Sequence, residues 1–292
     1  MLVTAKRPST LAPTAGIEVI RHGATIGAEI CGVDFSRPLA PESVATIRDA
    51  VMQHAVIFFR DVTITPELHI AFGRHFGDVT VHPFVPHLDG FPEIVVLDNH
   101  KDNPVFSTDH WHSDETFRQV PPMGSILRCL HKPETGGETL WADMSAAYDG
   151  LSDKMQHFLS GLEAIHDFQN FRHKFDHLPS RERHAKLAQM EEELPNPAHP
   201  VVRTHPATGR KVLFVNEQFT IAIKGMRDDE GRALLDFLFA QPRIPEYQFR
   251  FRWEVNSMVF WDNRPTQHYA ANDYYPQRRT MHRVTIKGDQ PK

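Results

Sequence analysis

The chain has 292 residues, 40% hydrophobic and 24% charged, which is ordinary for a globular protein able to bury a sizeable core. A net charge of −5 with histidine neutral gives no basic surface for nucleic acid or another polyanion. Cys31 and Cys129 make neither a disulfide framework nor a zinc–thiolate site and suit a reducing, cytoplasmic compartment; no run approaches the roughly 18 apolar residues of a membrane span.

Residues 1–15, rich in Pro, Thr, Ser and Ala, read as a flexible tail with no continuous apolar stretch of a signal peptide. The segment 16–36 reads as short strands broken by glycines. Residues 41–54 carry Val44, Ile47 and Val51 at helical spacing, and 55–60 form an apolar run that reads as a buried strand. Thr65 followed by Pro66 starts a second helix that ends near Gly77. Residues 93–99 are another buried strand, and 102–143 are strands and loops. "WHSDETF" (111–117) lies in a stretch compatible with a strand. "MSAAYDGLSDKMQHFLSGL" (144–162) reads as one helix.

Residues 166–200 are polar and basic, then acidic, then proline-studded, and read as an insertion of part helix and part loop, a composition that suits a lid and a solvated excursion equally. A hairpin turning at 207–210, a helix over 227–241 with acids in its first turn, and strands over 249–263 and 279–287 complete the chain. Many short strands with few helices predict one β-rich domain over 16–292, of α+β class with helices packed outside, and exclude a doubly wound βαβ series.

In a strand, His112 and Asp114 would share a face, so imidazole and carboxylate converge on one point. Metal ligation and a hydrogen-bonded surface pair both satisfy that pattern. His268 follows an apolar strand in "FWDNRPTQHYA". On the last strand Arg279, Met281, Arg283 and Thr285 share a face; guanidinium groups buried there need anionic partners, either protein carboxylates or small ligands, whereas an edge strand would leave them in water. Two histidines and a carboxylate with open positions left over are the donor set of non-heme ferrous oxygenases.

"WHSDETF", "TGGETLWADM", "FVNEQF" and "WDNRPTQHYAANDYYPQRRTMHRVTIKGD", in this order and spacing, resemble the taurine dioxygenase family of iron(II)- and 2-oxoglutarate-dependent dioxygenases, from about Gly16 to the end. The resemblance implies a double-stranded β-helix, or jelly roll, and a homo-oligomer. It implies iron(II) on His112, Asp114 and His268, with the distal carboxylate of 2-oxoglutarate on Arg279 assisted by Thr139. It implies a substrate site in which Arg283 and His82 grip a sulfonate and Phe219 walls the pocket. Two positions depart from the family: Thr108 stands where an asparagine is expected and Val85 where a tyrosine is expected. Both changes remove polar groups away from the sulfonate, so the expected substrate is a small anion, taurine or an alkyl sulfonate first, with an alkyl sulfate or aryloxyalkanoate as the alternative. A zinc hydrolase on the same three ligands, or a non-catalytic small-anion binder, are the competing readings; a hydrolase has no use for a dicarboxylate clamp such as Arg279 with Thr139.

Overall fold

The structure is a computed structural model that describes residues 16–103 and 109–292; the tail 1–15 and Thr108 lie outside the described residues. Two β-layers face each other. The larger sheet has nine strands, in the order Glu18–Arg21, Ala28–Cys31, Val56–Phe59, Met258–Asp262, Gly124–His131, Arg279–Ile286, Phe91–Asn99 and His87–Leu88, with Val79–Thr80 also paired to Arg279–Ile286. The smaller sheet is Gln248–Phe251, Thr139–Asp143 and Thr266–Ala270. The chain is α+β and β-rich, with its helices packed outside.

The last strand shows how one sequence serves two environments. Its alternate residues Arg279, Met281 and Arg283 turn towards the smaller sheet, where Met281 packs with Leu127, Trp141 and Trp261. Val284 turns the other way onto Ile70 and Ile94, and Ile286 joins the core beneath the helix Pro41–His54. That helix begins with Pro41 and buries Val44, Ile47, Ala50 and Val51. Burying one of its branched side chains stabilises the fold by about 2 kcal/mol relative to exposure.

Two expectations differ from the structure. "WHSDETF" is not a regular strand: His112 makes an isolated bridge to His268, and the chain turns at once. The expected helix 144–162 is two helices, Met144–Asp149 and Asp153–Leu159, because Ser152 caps a new start with its side chain on the Met155 N–H. Residues 166–200 hold a strand end at His166, a 3₁₀ helix Gln169–Phe175, a helix Ser180–Glu193 and a strand Ala198–Pro200, joined by loops. The helix Pro66–Arg74, capped by the Thr65 hydroxyl, and the helix Asp228–Phe239 form where their start signals predict.

Candidate active site

The three candidate ligands are brought together by tertiary contacts. His268 sits on the middle of a paired strand, opposite Trp141. Its N–H donates to the His112 carbonyl at 2.7 Å, and the His112 N–H donates to the His268 carbonyl at 3.0 Å, so the two imidazoles are held with centroids 4.1 Å apart. Asp114 is placed by Asn263, which lies 149 residues away in sequence. The Asp114 N–H donates to Asn263 Oδ1 at 2.7 Å, and Asn263 Nδ2 donates to the Asp114 carbonyl at 3.0 Å. Ser125 Oγ donates to Asp114 Oδ2 at 3.0 Å, which leaves Oδ1 facing the rings. Asp114 Oδ1 lies 4.0 Å from His112 Nε2 and 3.9 Å from His268 Nε2, and one donor atom from each of the three residues falls within 4.8 Å of the others.

The electrostatics suit a cation. His112 Nδ1 donates to the His110 carbonyl at 2.8 Å, which leaves Nε2 as a bare lone pair. Burial pushes His112 down, and burial with the His112 ring beside it pushes His268 to about 3, so both rings are neutral at physiological pH. Burial alone would raise Asp114, but the Arg283 guanidinium and the two imidazoles outweigh it and hold the carboxyl well below the usual range. Two neutral imidazoles and one carboxylate on one side of a cavity fit iron(II) and leave positions for other ligands.

The cavity beside them has a volume of about 270 Å³. Arg279 closes one side. It is buried, its Nε donates to the Gly137 carbonyl at 3.0 Å, and its Nη2 donates to Thr139 Oγ1 at 3.3 Å. Gly137 is in the left-handed region at φ 67°, and a Cβ there would meet Arg279 Cδ at 3.2 Å, so glycine keeps both the turn and the approach. Among the described residues no carboxylate pairs with Arg279. Burial without such a partner pushes its guanidinium down.

Arg283, four residues on, lies at the other side and donates from Nη1 to Asp114 Oδ1 at 2.9 Å, while its buried Nε has no partner. His82 Nδ1 accepts the Phe84 N–H at 3.1 Å, so the neutral ring carries its proton on Nε2; burial and then Arg283 hold it well below its usual value. Phe219 lies with its ring 6.3 Å from that of His112 and stacks on Phe171 at 6.1 Å. Val85 lines the same cavity. The structure thus gathers His112, Asp114, His268, Thr139, Arg279, Arg283, His82 and Phe219 around one space.

Several residues there had no role in the sequence reading. Glu115 is 2% exposed at φ 49°, accepts from Arg118 Nε, and leaves Oε1 without a hydrogen bond 4.0 Å from His82 Nε2. Burial raises its carboxyl. Asn263 orders Asp114, and Phe171 and Lys174 come from the insertion. Asp262 accepts from Arg264 and from His205 and stays out of the ligand group. His110 is exposed and offers only its carbonyl, and His282 is on the outer face of its strand.

Comparison with known proteins agrees with this arrangement. The profile of the family described as "Taurine catabolism dioxygenase TauD, TfdA family" matches residues 17–285. An alkylsulfatase of Acinetobacter baylyi is 35% identical over 95% of this chain and 87% of its own length. An alpha-ketoglutarate-dependent sulfate ester dioxygenase of Pseudomonas putida is 36% identical over 91% of this chain and 88% of its own. The crystal structure of a taurine dioxygenase from Burkholderia xenovorans superposes with a TM-score of 0.80 at 37% identity, covering 94% of this chain and 91% of that one. With the profile spanning nearly all described elements and the site intact in space, the chain belongs to the taurine catabolism dioxygenase TauD, TfdA family.

Proposed function

We propose that the protein is an iron(II)- and 2-oxoglutarate-dependent dioxygenase that hydroxylates a small organic compound carrying a sulfate or sulfonate head group. The observation that carries this reading is Arg279, a buried guanidinium that faces the ligand cavity and has no carboxylate partner among the described residues. Leaving such a charge unpaired costs several kcal/mol, on the order of the penalty for any buried ion, and a bound carboxylate removes most of it.

His112, Asp114 and His268 would hold the iron on one face. Arg279, held by the Gly137 carbonyl and helped by the Thr139 hydroxyl, would take the distal carboxylate of 2-oxoglutarate in a bidentate pair. When bound, iron with 2-oxoglutarate and O2 supplies oxidative decarboxylation to succinate and carbon dioxide coupled to hydroxylation of a substrate C–H bond. Arg283 and the Nε2–H of His82 would orient the head group, with Thr108 a further expected contact outside the described residues. Phe219, Phe171 and Phe117 exclude water from that side. Hydroxylation at the carbon bearing a sulfate ester gives a carbon with both hydroxyl and sulfate, which separates into an aldehyde and inorganic sulfate.

We read the two facing sheets as a double-stranded β-helix and residues 166–200 as the lid of its open end. The apolar Val85 in the cavity wall and the sulfate-ester names of two relatives support an alkyl sulfate or alkyl sulfonate over taurine. The test is succinate release by the iron-loaded protein in air with taurine, hexyl sulfate, hexanesulfonate or an aryloxyacetate, each against a control without substrate. The expected result is stimulation by hexyl sulfate or hexanesulfonate. No succinate with any of them, with iron confirmed in the protein, would overturn the reading.

A further inference from the structure

The insertion brings a cation to the substrate side of the cavity. In the 3₁₀ helix Gln169–Phe175, residues three apart fall on the same side, so Lys174 shares a face with Phe171. Phe171 presents that face to the site: its ring centroid lies 5.5 Å from that of His82 and its ring stacks on Phe84 and Phe219. Lys174 lines the same cavity as His82 and Arg283, and it also lines an outer trough of about 550 Å³, so it stands where the two meet. Its ammonium makes no hydrogen bond or ion pair to any described residue. Partial burial lowers it, and its charge in turn helps push the nearby His82 down. The other charges around the cavity are differently placed: Glu115 is matched by Arg118, Asp98 by Arg278, and Arg283 contacts Asp114.

We propose that Lys174 is a specificity-determining residue that binds the substrate's head group together with Arg283 and His82, so that the site recognises a three-oxygen oxyanion in preference to a carboxylate. This rests on the dioxygenase reading above. A sulfate or sulfonate has three terminal oxygens, and the cavity offers three separate donors: the Arg283 guanidinium, the His82 Nε2–H and the Lys174 ammonium. A carboxylate is planar, whereas the three terminal oxygens of a sulfate or sulfonate fan out in different directions, so a carboxylate meets three separate donors less well. Because Arg283 belongs to the last strand, His82 to the loop after Val79–Thr80 and Lys174 to the insertion, head-group binding also ties the insertion to the rest of the site.

The test is calorimetric binding, without turnover, of hexyl sulfate and of hexanoate to protein loaded with iron(II) and 2-oxoglutarate under anaerobic conditions. Wild-type protein is expected to prefer hexyl sulfate. Lys174→Met is expected to weaken hexyl sulfate by about 10-fold, as for loss of a charge-assisted hydrogen bond, and to leave hexanoate and 2-oxoglutarate nearly unchanged. Lys174→Arg, which keeps the charge, is expected to retain the preference. An unchanged ratio of the two affinities in Lys174→Met, or equal weakening of both ligands and of 2-oxoglutarate, would overturn the role of Lys174 while leaving the dioxygenase reading intact. Wild-type protein that binds 2-oxoglutarate but not hexyl sulfate would overturn both the head-group assignment and this proposal.

Discussion

Arg279 and Arg283 are two strand repeats apart on one face and carry different duties. Arg279 is anchored by a backbone carbonyl and a hydroxyl, so its charge is left for a ligand; Arg283 contacts Asp114, so its placement depends on what that carboxylate holds. The same-face spacing of the pair was legible in the sequence from strand alternation alone. So was the type of each candidate ligand, and the resemblance supplied which histidine and arginine belonged together. Asn263 was not legible, because its partner lies far along the chain and periodicity reports only on a residue's own element. Asn263→Ala is expected to weaken binding of iron(II) or Mn(II) by about 10- to 100-fold, the usual consequence of losing a group that orients a ligand. Equilibrium dialysis measures it; unchanged metal affinity would show that the turn holds Asp114 without the amide.

At the scale of elements, the strands and most helices followed their apolar periodicity and start signals, and the failures have local causes. A single helix over 144–162 was expected from composition, but Ser152 offers a cap that restarts the helix. "WHSDETF" has the side chains of a strand, yet Asn263 and Ser113 tie its backbone into a turn, with Ser113 Oγ donating to the Thr266 carbonyl at 2.8 Å. The insertion could be delimited by its polarity, but not the 3₁₀ helix that aims Phe171 and Lys174 inward, because aromatic clustering with Phe84, Phe117 and Phe168 decides that placement. Read as a lid, this segment is expected to be cut more slowly by trypsin at Arg181, Arg183 or Lys186 once 2-oxoglutarate, Mn(II) and hexyl sulfate are bound. Mass spectrometry of the fragments reports it, and equal cleavage rates with and without the ligands would count against closure.

The order of strands across the whole molecule was beyond the sequence. Met258–Asp262 enters between Val56–Phe59 and Gly124–His131, pairings fixed by packing between distant segments rather than by any local signal. The assembled core also sets an acid limit. Burial holds His69 at about 3 and lowers His166 and His199, so all three are neutral in the folded chain, whereas unfolded histidines take up protons below about 6.5. The unfolded state then binds more protons, and stability falls as pH drops from about 6.5 towards 3. For His69 alone the loss between pH 6.5 and 5 is about 2 kcal/mol. Urea unfolding of the metal-free protein is expected to show a clearly lower midpoint at pH 5 than at pH 7.5; equal midpoints would mean these rings find protonated states the buried geometry does not suggest.

The central claim is that the ligand group and Arg279 together form a metal-dependent dicarboxylate site. The most direct measurement is anaerobic calorimetric titration of 2-oxoglutarate into the iron(II)-loaded protein, its Arg279→Gln variant and its Asp114→Ala variant. The account predicts one metal-dependent site in the wild type, with affinity reduced by about 100-fold in Arg279→Gln through loss of a charged, bidentate partner. It predicts loss of the metal-dependent binding in Asp114→Ala. Binding of 2-oxoglutarate that survives both substitutions, or that ignores the metal, would contradict it.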